Sequence, residues 1–339
     1  EVELLAPVGT FEIFKQVIHS GADAVYLGGK IFNMRMHRKG FNFTDEELAE
    51  AVKITHDLGK KIYITVNNLL SSEDLKQAKD YLTYLSELKP DAIIVQDMSI
   101  VYLVNELGLD LNIHASVMMN THNLETIKAL RELGVTRVVT SRDIDLETVK
   151  YFSRQTDMEF EYFVHGDMCV AHGSQCTYSG ILFGKSGNRG LCMKPCRWGY
   201  KMNQGGNQYN TTFPLAVKDM YMYENIPELI EAGVVSFKIE GRMKSPEYVA
   251  TVTRIYRKYI DMVLNNYDFI IDECKKIYMD LPEVRSSDSK YQASRGAALA
   301  LWSRAALYAG SIAKYSGVLT LTGEAVSKGY VRISESEAE

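Results

Sequence analysis

"ELLAPVGTFEIFKQVIHSGADAVYLGG" spans residues 3–29. Its two ends, "ELLAPV" (3–8) and "AVYLGG" (24–29), are short apolar runs of strand length. The middle closes on "HSGAD", a glycine just past a helix end and directly before a strand. That is a left-handed cap in a tight helix-to-strand loop. The phrase recurs as "ELGLD", "ELGVT" and "EAGVV". The stretch therefore reads as strand, helix, strand.

The pattern continues outward. Further apolar runs are "KIYITVNN" (61–68), "AIIVQD" (92–97), "NIHASV" (112–117), "RVVTSR" (137–142), "EYFVHG" (161–166) and "VSFKIEG" (235–241). Helical patterns lie between most of them. "FTDEELAEAVKITHDLG" opens on a Thr/Asp cap signal and ends on Gly59. "SEDLKQAKDYLTYLSELK" carries helical apolar spacing. Near-continuous apolar strands are those of a parallel sheet covered on both faces. Eight such units predict an α/β fold, a TIM-like (β/α)8 barrel, with a doubly wound open sheet as the alternative. Residues 1–270 are assigned to the barrel, and 167–213 to a cysteine-rich insertion after strand seven. Residues 271–315 read as a helical or irregular linker, Ala/Ser-rich from 283. Residues 316–339 read as a small C-terminal β appendage or the start of another domain.

The bulk composition narrows the class. Of 339 residues, 46% are hydrophobic and 24% charged, as in a globular protein. The formal net charge of −5 requires that any nucleic acid bind a local basic patch. No run of 18 apolar residues marks a membrane span, so no membrane partner is expected. The opening "EVELLAPVGT" lacks the look of a signal peptide, which implies a reducing cytoplasm.

Four of the five cysteines fall within 28 residues, as Cys169, Cys176, Cys192 and Cys196. Their spacing, C-x6-C-x15-C-x3-C, lacks the two close pairs of a zinc ribbon. Irregular spacing on a glycine-rich loop suits a [4Fe–4S] cube, whose corners are reachable from separated positions. Structural zinc is the runner-up, and disulfides the least suited to that compartment. Cys274, in "DECKK", reads as a half-exposed thiol. "GILFGKS" fails as a phosphate loop by one residue of glycine spacing. Neither a zinc-protease helix nor a nucleophile elbow is present.

Barrel active sites form at the C-terminal ends of strands. Those ends carry Arg35, Asn67, Asn68, Gln96, Asp97, His114, Ser116, Ser141, Arg142, Asp143, His165, Lys238, Glu240 and Arg242. The arginines can pair bidentately with a carboxylate or phosphate. Lys185, Arg189, Lys194, Arg197 and Lys201 interleave with the cysteines, beside Trp198 and Tyr200. Arginines beside aromatics suit single-stranded RNA.

"EYFVHGDMCVAHGSQCTYSG", "SGNRGLCMKPCRW" and "SFKIEGRMKSPEYVATVTRIYR" resemble the signatures of the collagenase-like peptidase family, number thirty-two among peptidases of unknown mechanism. The opening segment and "VNN" match too, so the resemblance covers roughly residues 2–265. Despite the name, it implies oxygen-independent hydroxylases with a [4Fe–4S] cluster. Some modify the wobble uridine of transfer RNA, with prephenate as oxygen source. Others act on a ribosomal RNA cytidine or on the ubiquinone ring. All four cysteines in one loop look more like the RNA-acting branch, and the resemblance makes them cluster ligands. His165, Lys238, Glu240 and Arg242 fall in the family's motif positions, and of the strand-end residues His165, Glu240 and Lys238 are the catalytic candidates. The strand ends and the cysteine loop give the candidate substrate-binding set, Arg35, Asn67, His114, Arg142, Arg242, Arg189 and Arg197. Implied partners are RNA, foremost transfer RNA, a dicarboxylate such as prephenate, and a paralogous partner subunit. The alternatives are a peptidase and a non-catalytic iron–sulfur subunit. Two departures stand out: "SVMM" (116–119) replaces a Ser-Thr-Gln run, and "AVKDMY" lacks a further cysteine that some members place there.

Overall fold

The chain is described by a computed structural model covering residues 2–278 apart from residues 39 and 212, with the side chains of residues 202–204 and 207–211 and of the last helix beyond Asn265 outside that description. Eight parallel strands close into a barrel. They are β1 (Glu3–Pro7), β2 (Ala24–Leu27), β3 (Lys61–Val66), β4 (Ala92–Val95), β5 (Ile113–Ala115), β6 (Val135–Val139), β7 (Glu159–Gly166) and β11 (Val234–Ile239). Pairing runs in chain order, and β11 joins β7 on one side and β1 on the other. The open-sheet alternative is thereby set aside. Helices α1 (Phe11–Val17), α2 (Asp45–Asp57), α3 (Asp74–Leu88), α4 (Met98–Glu106), α5 (Leu124–Glu132) and α6 (Leu146–Gln155) return the chain between strands. After β7 the insertion holds α7 (Tyr178–Phe183), the hairpin β8 (Tyr200–Gln204) and β9 (Asn207–Thr211), and the short β10 (Met220–Tyr221). α8 (Ile226–Glu231) leads into β11, and α9 (Pro246–Tyr278) follows it.

Local sequence explains these elements. Thr44 accepts from the backbone N–H of Glu47, and the Glu47 carboxylate accepts from the Thr44 N–H, which closes a capping box at the start of α2. Gly59, Gly108, Gly134 and Gly233 all take positive φ just past their helices, as the recurring phrase predicts. The strand runs are continuous because both faces are buried. Leu4, Val25, Ile62 and Ile93 face the helices, while Leu5, Tyr26, Tyr63 and Ile94 fill the barrel. Each fully buried aliphatic side chain contributes about 2 kcal/mol.

The lower barrel interior is polar as well. Arg137 donates to Glu3 at 2.7 Å and to Glu161 at 3.3 Å, and Lys238 donates to Glu161 at 2.6 Å. The hydroxyls of Tyr63 and Ser236 also donate to Glu3.

The boundary set at residue 270 falls inside α9, which runs unbroken to Tyr278. The linker beyond 278, the β appendage and the exposure of Cys274 lie outside the described residues and side chains. Among the described residues, no helix is long and apolar enough to cross a membrane.

Candidate functional site

At the C-terminal mouth of the barrel lies a cavity of about 200 Å³. Strand ends form its floor and the cysteine segment forms its roof. Arg35, Asn67, Arg142, Arg197, Lys238, Glu240, Arg242 and all four clustered cysteines line it. Glycine makes the roof possible. A Cβ on Gly173 would lie 2.4 Å from the Val117 carbonyl oxygen, so only glycine lets the loop settle on the turn after β5.

The floor is electrostatically unequal. Six cationic side chains line the cavity against two carboxylates, Asp167 and Glu240. Burial raises the Glu240 carboxyl, but Arg35, Arg242 and Lys194 outweigh it and hold the group below its usual range. Arg35 reaches Glu240 at 3.4 Å, and the Tyr26 hydroxyl lies 3.1 Å from the same carboxylate. Burial, then Glu240, push the Tyr26 hydroxyl well up, so it remains a phenol. Arg242 is buried, donates to Thr65 at 3.0 Å, and lies over the Tyr26 ring. The Nε groups of Arg35 and Arg242 are buried without a protein partner. Buried charged donors normally find an acceptor. Two such donors on one cavity point to an anionic ligand.

The cysteines sit close enough to feel one another. Burial first, then Cys169, Cys192 and Cys176, push the Cys196 thiol up, with Arg197 opposing. Among the described residues, no three of these sulfurs fall within 4.8 Å of one another. Thiolates on one tetrahedral zinc ion would lie about 3.8 Å apart, from zinc–sulfur bonds of about 2.3 Å. No three of the sulfurs stand at the spacing that a single zinc ion gives its ligands.

Three expected site residues lie elsewhere, which corrects the reading that all strand ends meet at one mouth. His165 turns outward. β7 uses two residues where β11 uses one: Lys238 pairs with Phe163, but Ile239 pairs with His165. This bulge reverses the alternation. His165 bonds Tyr248 of α9 at 2.9 Å, and burial lowers its pKa. His114 is buried beneath the cavity, with its ring edge against Tyr63 at 4.8 Å. Arg189 points away and pairs with Asp74 at 2.9 Å. Lys238 does line the cavity, yet Glu161 engages its ammonium. Burial pulls that ammonium down, and Glu161 opposes the shift.

Two site residues escaped the sequence reading. Tyr26 sits inside "AVYLGG", where its alternation with Ala24 would have placed it inward. Asp167 follows β7 directly and accepts from Lys194 at 2.9 Å. Burial raises its carboxyl, but Lys194 and Arg197 hold it below the usual range.

The chain is similar in sequence to known proteins. Peptidase family U32 matches residues 9–295. A protein named tRNA hydroxylation protein P1 from Bacillus subtilis is 38% identical over 267 residues, covering 76% of this chain and 63% of that protein. An uncharacterized protease from Methanocaldococcus jannaschii is 40% identical over 293 residues, covering 82% of this chain and 70% of its own length. A 23S rRNA 5-hydroxycytidine synthase from Escherichia coli is 38% identical over 266 residues, covering 78% of this chain but 40% of that protein. The chain thus spans only part of each relative. With most of its length matched, this chain belongs to peptidase family U32.

Proposed function

We propose that this chain carries out iron–sulfur-dependent, oxygen-independent hydroxylation of RNA, at C5 of the transfer RNA wobble uridine, with prephenate as the oxygen source. One observation carries the reading: four cysteine thiols and three strand-end arginines share a single cavity. The names of the Bacillus and Escherichia relatives agree with RNA as the substrate. Cys169, Cys176, Cys192 and Cys196 would hold the cluster, which supplies electron transfer when bound.

The remaining roles belong to the chain itself. Arg35, Arg142 and Arg242 hold the two carboxylates of the small substrate through charge-assisted hydrogen bonds. Tyr26 stays protonated and keeps the Glu240 carboxylate in place. Glu240 stays ionised and is the proton acceptor at the cavity. RNA enters over the roof. There Trp198 is 40% exposed and stands 5.3 Å from Phe183, a platform for an unstacked base beside the exposed Lys185.

The test is mass spectrometry of transfer RNA nucleosides from cells lacking this protein and any redundant enzyme. Loss of wobble 5-hydroxyuridine is expected, and unchanged hydroxylation would overturn the proposal. Anaerobically prepared protein should be brown and turn colourless on Cys196→Ala. Cleavage of casein or gelatin that survives Cys169→Ala and Cys192→Ala would favour a peptidase instead.

A further inference from the structure

Beside the roof, three side chains from three loops converge. His122 follows β5, Asp143 follows β6, and His172 lies between Cys169 and Cys176. Their ligand atoms all lie within 4.8 Å of one another. Asp143 Oδ2 stands 2.9 Å from His122 Nε2 and 3.3 Å from His172 Nδ1. Nitrogen and oxygen ligands of a tetrahedral ion lie about 3.4 Å apart, from bonds of about 2.1 Å. Asp143 therefore stands near coordination spacing from both imidazoles, and the third pair lies within 4.8 Å.

The hydrogen bonds around it add a second argument. His122 Nδ1 is 2.8 Å from the Asn120 carbonyl oxygen, which can only accept. A neutral imidazole has one proton, and this contact places it on Nδ1. Nε2 then turns a lone pair toward a carboxylate oxygen at 2.9 Å, also an acceptor. Two facing acceptors need positive charge between them, from a metal ion or from a second proton. On the other carboxylate oxygen, the Ser141 hydroxyl donates to Asp143 Oδ1 and leaves Oδ2 for the imidazoles. A backbone carbonyl orienting one ligand and a hydroxyl orienting another are the outer contacts that metal sites use.

We propose that His122, Asp143 and His172 bind a divalent transition-metal ion of the zinc class, with the remaining coordination position open to water. Imidazole and carboxylate ligands suit such an ion. It uses no thiolate, although His172 lines the same cavity as the cysteines, and it ties the Cys169–Cys176 segment to the loops after β5 and β6.

The experiment titrates the full chain with Co2+ and follows the visible and near-ultraviolet spectrum. Wild-type protein should take up one equivalent with weak visible bands of nitrogen and oxygen coordination, in addition to any cobalt giving thiolate charge transfer. His172→Ala and Asp143→Asn should each remove that equivalent and spare the thiolate bands. The His172 side chain is 57% exposed, so its loss leaves the fold intact. Ser141→Ala should weaken binding about 10-fold or more. Superimposable wild-type and His172→Ala titrations would overturn the proposal, as would wild-type protein lacking the nitrogen and oxygen bands. That last outcome assigns a protonated His122 instead. The thiolate bands report separately, so failure here is distinguishable from failure of the cysteine cluster.

Discussion

Two polar layers stack inside this barrel, and they are built on opposite principles. In the lower layer Glu3 and Glu161 meet Arg137 and Lys238, two charges of each sign, every one with an opposite partner within 3.3 Å. In the upper layer Arg35 and Arg242 stand by Glu240, Arg142 donates to the Asp167 carbonyl oxygen, and two buried guanidinium N–H groups lack a protein partner. A buried network that satisfies itself is part of the fold. One that leaves charged donors unmet is arranged for something that arrives later. The same residue types thus serve structure below and recognition above, and completeness of pairing separates the two.

The largest effect should come from breaking the lower layer. Glu161 has no exposed surface and accepts from both Arg137 and Lys238. Glu161→Ala strands Lys238, leaves Arg137 with Glu3 and Glu159, and should cost about 3–5 kcal/mol of folding stability. Chemical denaturation measures this directly. Arg35→Gln, by contrast, leaves the Glu240 carboxylate beside Arg242 and Lys194 and should cost less stability than Glu161→Ala. Equal losses in the two variants would erase the distinction between the layers.

A smaller effect tests the upper layer on its own terms. Arg35→Gln removes a charged donor aimed at the cavity. It should weaken prephenate binding about 10- to 100-fold, the worth of a hydrogen bond to a charged group. Calorimetric titration of the full chain checks it. Unchanged affinity in a folded variant would show that the Arg35 guanidinium does not receive the ligand.

Sequence made some of this contrast legible and hid the rest, for physical reasons. The barrel was readable because its strands are largely apolar runs and several of its helices end on glycine. The cysteines and the strand-end arginines were readable because residue type and place coincide. The lower layer was not. Glu161 and Lys238 sit within strands, and their inward aim follows from alternation with Phe163 and Ser236, a signal that was present but unused. His165 was beyond reach. Its outward turn depends on the bulge against β11, a pairing between residues more than 70 positions apart in the chain. Local pattern cannot encode such a register shift.

The smallest effect concerns pH and asks whether the lower layer is truly full. His114 is buried against Tyr63 at its edge. Burial first, then the positive charges of Arg137, Lys238 and Lys61, push its pKa well down, so it is neutral in the folded protein. In the unfolded chain a histidine titrates near pH 6.5. Below that pH the unfolded chain binds a proton that the folded chain refuses, and mass action favours unfolding. The stability linked to His114 is therefore complete above about pH 6.5 and declines as pH falls, by at most about 1.4 kcal/mol per unit. His114→Phe keeps a ring against Tyr63 and removes the titration. Between about pH 6.5 and 5.5, wild-type protein should lose about 1 kcal/mol more than this variant, as read from denaturation at each pH. Parallel curves would mean that the folded interior accepts a proton at His114. A layer that takes up another positive charge beside Arg137 and Lys238 would not be saturated, and complete pairing could no longer mark it as structural.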